Sequence, residues 1–218
     1  RSIKKKKRLV NCGLIQENDI MSVLAIDLET KNMSYDIGGF GNTHMFQVST
    51  VSTWDGNMGT IYVDESLDSD FAKAGHIVKS LGELKYDLDD HFEKGGVLLG
   101  HNIVAFDLPI LRDSMDIFCI TKYLKEQKYI DTSKILLKGH GERFQLKNLV
   151  KCTMNDAKLM DSADAPKLWK MGRYDEVVEY CMKDTQLVYD LWKYGQENGI
   201  VKAFSLENAE HKDLEVEW

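Results

Sequence analysis

Apolar positions change their period along this chain, and the changes mark its elements. Ser22–Ile26 is a short run of β-branched and apolar residues, which predicts a strand. Met45–Thr53 and Thr60–Val63 predict two more strands around the turn Asp55-Gly56-Asn57, in a meander with the first. A glycine-rich loop over residues 36–43 precedes them. Residues 67–93 read as one or two helices, and Val97–Leu99 as a short buried strand opened by Gly95-Gly96. Phe106–Phe118 is expected to be helical, Tyr129–Leu136 a strand, and Phe144–Lys151 and Asn155–Leu159 short helices. Tyr174–Glu197 is the longest and clearest helix. Strands first and alternating units afterwards imply an α/β fold, a mixed sheet flanked by helices.

The last helix carries an anomaly. At 100° per residue, Val177, Cys181, Val188, Leu191 and Trp192 gather in one sector. Glu176, Glu179, Lys183, Asp190 and Lys193 gather roughly opposite. Asp184 nevertheless falls near the centre of the apolar sector, and Tyr180, one turn earlier, shares its side. A buried carboxylate is costly unless hydrogen-bonded, paired or bound to metal. Two accounts fit: an aspartate satisfied by backbone or arginine with Tyr180 as packing, or a carboxylate and a phenol aimed into a functional cleft.

Two further acidic positions bear on that choice. Alternation along a strand puts Asp27 and Glu29 on one face and buries Leu28 on the other; the plain alternative is a solvated strand edge. Asp107 stands just before Leu108-Pro109, where a helix N-terminus is expected, so an N-cap is its structural account. His101 and Asn102, in the same stretch, either shape the loop or touch substrate.

Composition narrows the setting. The 218 residues are 43% hydrophobic and 29% charged, enough to bury a core. No apolar run approaches the ~20 residues of a membrane span, and no signal peptide is apparent, so an intracellular protein without a membrane segment is expected. Cys12, Cys119, Cys152 and Cys181 form no CxxC pair, which suits reduced, packed thiols better than zinc or disulfides. A net charge of −7 argues against a protein that coats long nucleic acid, but not against an enzyme gripping a short end. Residues 1–20, with the basic run Lys4–Arg8, read as a leader: a linker, an artificial remnant or a nucleic-acid-touching arm. Residues 21–200 read as the domain proper and 201–218 as an acidic C-terminal tail.

Carboxylate ligands suit Mg²⁺ or Mn²⁺ rather than zinc. The order Asp27-x-Glu29, then His101-Asn102-x₃-Phe106-Asp107, then Tyr180-x₃-Asp184 resembles the DEDD superfamily of 3′–5′ exonucleases. The Tyr-x₃-Asp spacing is that of its tyrosine branch, which includes proofreading domains of family B DNA polymerases. Tyr129–Thr132, Phe144–Val150 and Asp164–Trp169 resemble connecting stretches of that family. The resemblance spans roughly residues 22–195. It implies an RNase H-like fold and two divalent ions held by Asp27, Glu29, Asp107 and Asp184. It also implies that Tyr180 positions the attacking water and that nucleoside 5′-monophosphates are released from a single-stranded DNA or RNA 3′ end. Thr30, Asn102 and Phe106 are the candidate substrate contacts, Asp131 is expected to be structural, and a polymerase or helicase is the partner such a domain serves.

Overall fold

The computed structural model describes residues 22–67, 75–156 and 162–218. The basic leader lies outside them, as do residues 68–74 of the helical region predicted at 67–93 and residues 157–159 of the helix predicted at 155–159.

Hydrogen bonding carries the first strand further than its apolar run suggests. β1 (Val23–Thr30) pairs with antiparallel β2 (Val48–Trp54) as far as Thr30, so Asp27 and Glu29 lie inside the ladder rather than after it. On its other side β1 pairs in parallel with β5 (Val97–Gly100). β3 (Gly59–Val63) continues antiparallel from β2, β4 (Ile77–Ser80) joins it in parallel, and β6 (Tyr129–Asp131) closes the far edge beside β5. The sheet therefore has six strands in the order β4-β3-β2-β1-β5-β6. This is an α/β fold with a mixed sheet between helices, compatible with an RNase H-like architecture.

Alternation along β1 assigns each face to a different core. Leu24, Ile26 and Leu28 pack toward α1 (Leu84–Glu93), α2 (Asp107–Ser114) and α3 (Cys119–Glu126). Val23 and Ala25 pack on the other face, with α5 (Leu146–Met154) and α7 (Tyr174–Asn198). Asp27 and Glu29 continue that second face beyond the end of its apolar part.

Several elements differ from the sequence reading. Residues 77–80, expected within a helix, form β4, because Ile77 and Val78 pair along β3; α1 follows a Ser80–Glu83 capping box. The helix predicted at 106–118 stops at Ser114, and α3 is a separate helix. The strand predicted at 129–136 ends at Asp131, whose side chain accepts Lys134 N–H and starts α4 (Thr132–His140). Asn155, expected to begin a helix, instead ends α5 in a left-handed conformation.

Residues 201–218 are not a tail. β7 (Ile200–Ser205) and β8 (Glu210–Glu215) form a hairpin, which buries Val201, Ala203, Leu214 and Val216 against the α5–α7 side of the core. No helix among the described residues is long and apolar enough to cross a membrane.

Candidate functional site

Asp27, Glu29, Asp107 and Asp184 come from three elements and line one cleft of about 760 Å³. Glu29, Asp107 and Asp184 are 7%, 4% and 3% exposed, so they sit deep in the cleft, while Asp27 is half-buried.

Each arrives there for a local reason. Asp107 lies one residue inside α2, with Phe106 at the cap position, and its Oδ1 accepts the N–H of Leu28 at 3.2 Å. It thereby ties the start of α2 to β1. Gly100 makes this approach possible: a Cβ there would meet Ile103 Cγ2 at 2.0 Å and the Ile26 carbonyl at 3.1 Å. The loop between them is ordered by Asp131. Its Oδ1 accepts from Asn102 N–H (2.9 Å) and Lys134 N–H (3.1 Å), and its Oδ2 from Val104 N–H (3.0 Å). Asp131 is thus structural, as expected. His101 is a strut, with Nδ1 2.9 Å from Thr132 Oγ1 and Nε2 2.9 Å from the Phe144 carbonyl.

Asp184 is placed by a buried polar lock between α7 and the sheet. Thr185 donates to the Cys181 carbonyl (2.8 Å), so Ser52 supplies the proton of the 2.5 Å bond between the Ser52 and Thr185 hydroxyls. Ser52 Oγ also lies 3.1 Å from Cys181 Sγ, which donates to the Asp27 carbonyl at 3.5 Å. Burial pushes the Cys181 thiol well above its usual range, and the negative charges of Asp27, Glu29 and Asp184 push it further.

Tyr180, one turn before Asp184 on α7, is fully buried and packs with Ala165, Trp169 and Val177 against α6 (Ala165–Lys170). Thr30 does line it, but its hydroxyl donates to the Asn32 carbonyl (2.8 Å), leaving only acceptor capacity for a ligand. Asn102 lines the cleft at φ 70°, with Arg143 Nη1 3.5 Å from its Oδ1. Phe106 lines it with half-buried edge-to-face contacts to Phe46 (5.5 Å) and Phe40 (6.0 Å).

Phe40 lines the cleft from the glycine-rich loop, whose Gly38–Asn42 stretch the sequence suggested over the substrate, and sequence reading missed Arg143 and Lys147 in the same lining. The other two had a weak signal: Glu142, Phe144 and Leu146 are buried while Arg143, Gln145 and Lys147 are exposed, an alternation that displays polar side chains together.

The donor set suits a hard divalent cation: all four acids offer oxygen, and clustered anions in a partly desolvated cleft favour a cation among them. Among the described residues, no three His, Cys, Asp or Glu side chains form a ready-made cage. The fit thus rests on donor chemistry and convergence.

No known protein-family profile matches this chain, and no curated protein sequence matches it.

Proposed function

We propose that this chain is a metal-dependent 3′–5′ exonuclease of the tyrosine DEDD type, acting on single-stranded nucleic acid, with DNA favoured. The convergence of Asp27, Glu29, Asp107 and Asp184 on one cleft carries the reading. Two Mg²⁺ or Mn²⁺ ions, when bound, would lower the pKa of a water and stabilise the leaving oxygen of a phosphodiester. The protein's own part is to hold the ions through the four carboxylates and to fix β1 against α2 through the Leu28–Asp107 bond. It also presents the strand with Asn102 and Phe106 and orients the water with Tyr180. Nucleoside 5′-monophosphates leave one at a time from a free 3′ end, of the kind a polymerase or helicase partner generates inside the cell.

A second reading is a module on the same fold that binds a strand without cutting it. A single assay separates the two. Single-stranded DNA and RNA labelled at the 5′ end, and circular single-stranded DNA, are incubated with Mn²⁺, Mg²⁺ or EDTA, beside Asp184→Ala. The exonuclease predicts a metal-dependent ladder shortening from the 3′ end, an intact circle and no ladder in the variant. Linear strands that survive every metal while remaining bound to folded protein would establish the binding module instead.

A further inference from the structure

We propose that Phe40 and Arg143 form a base-and-phosphate grip for a single polynucleotide strand in the cleft. The Phe40 ring stacks on an unpaired base, and the Arg143 guanidinium binds a backbone phosphate. The proposal rests on the nucleic-acid reading above but does not need cleavage.

Phe40 is 66% exposed, an unfavourable setting for a phenyl ring in water, yet the loop that presents it is well anchored. At its base, Asn32 donates to the Met45 carbonyl (2.9 Å) and accepts from Gln47 N–H (2.9 Å). Near its tip, Asn42 donates to the Ile37 carbonyl (2.7 Å), and Thr43 donates to Asp113 on α2 at 2.5 Å. Phe40 has Phe46 behind it at 6.5 Å and Phe106 edge-on at 6.0 Å, so one ring is offered on an aromatic base. Other exposed aromatics, such as Phe118 and Tyr86, stand outside the cleft that holds the carboxylates.

Arg143 comes from the other loop of that cleft. Its backbone is held by the neighbouring Glu142, a buried carboxylate that accepts from Ser205 (2.9 and 3.0 Å) and pairs with Lys212 (3.3 Å). The exposed guanidinium reaches toward Asn102. In a chain of net charge −7 with an acidic cleft floor, a rim cation is what lets a polyanion approach. A ring for a base together with a fork for a phosphate is the pairing a single strand requires. A duplex, whose base faces are already stacked, could use only the arginine.

Fluorescence anisotropy in Ca²⁺ tests the grip, using a labelled oligothymidylate, an oligouridylate and an abasic phosphodiester of equal length. Phe40→Ala is expected to weaken the two base-bearing strands by roughly 5- to 100-fold and to leave the abasic strand unchanged. Phe40→Trp should restore binding, and Phe40→Leu, which keeps an apolar side chain, should not. Arg143→Gln should weaken all three alike and reduce the salt slope by about one phosphate contact. Failure of the wild type to bind the oligothymidylate, or unchanged affinity in both variants, would overturn the proposal. Binding with these dependences but without cleavage under Mg²⁺ or Mn²⁺ would refute the exonuclease and leave the grip standing. Cleavage with Kd and KM unchanged in the variants would refute the grip alone.

Discussion

The two halves of α7 are built on different terms. From Tyr174 to Thr185 the buried face includes Tyr180, Cys181, Asp184 and Thr185, all with polar atoms, and it meets β1 and β2 through hydrogen bonds. From Leu187 to Asn198 the buried face is Leu187, Val188, Leu191 and Gly195, and it meets the hairpin through apolar contact. One continuous helix thus couples a half that bears the candidate chemistry to a half that anchors it. A like-charged carboxylate cluster adds little to the stability of a metal-free protein, so apolar packing holds the helix in position, through Val178 and Met182 on β3 in the first half and through the hairpin contacts in the second.

That contrast can be broken at either end. The largest effect is expected at Asp184→Asn: activity falls by at least about 10²-fold, while the melting temperature of the metal-free protein stays level or rises. A large fall in melting temperature would make Asp184 a structural residue. Leu191→Ala should do the reverse. Leu191 is fully buried, so the loss is about 2–5 kcal/mol in denaturant melts, with activity per folded molecule retained. Gly195→Ala sharpens the comparison because helix propensity alone would favour the alanine by up to about 1 kcal/mol. A Cβ at Gly195 would lie 2.5 Å from Trp218 Cζ2, so the ring and its 2.9 Å bond to the Trp192 carbonyl must be displaced. A net loss of about 1 kcal/mol is expected, and a gain would show that Trp218 contributes nothing there. Smallest is Ser52→Ala, because Thr185 keeps its bond to the Cys181 carbonyl: a loss of about 0.5 kcal/mol by chemical denaturation.

Sequence pattern revealed the first half of α7 more readily than its surroundings. Asp184 stood out because a 3.6-residue period is long enough to expose one wrong residue, and Asp27 with Glu29 followed from alternation in a strand. The hairpin was hidden by its charges. Glu207, Glu210, Asp213, Glu215 and Glu217 suggested a tail, although Val201, Ala203 and Ser205, then Leu214, Val216 and Trp218, alternate as a strand pair does. At 129–136 the apolar residues outweigh the Asp131 cap signal in the sequence, whereas the strand ends at Asp131 and a helix begins at Thr132. The wheel puts Tyr180 on the side of Asp184 but cannot show that Ala165 and Trp169 pack against it. Phe40 and Arg143 meet in one cleft only through tertiary folding, so no local window could have joined them.

The Glu142 clasp also has a bearing on the order of synthesis. Its partners, Ser205 and Lys212, are more than sixty residues downstream. A ribosome releases the carboxylates of β1 and α2 long before those partners. The wall that carries Arg143 is therefore anchored only after Asp184 and the β7–β8 hairpin have emerged, although Arg143 itself is made before either.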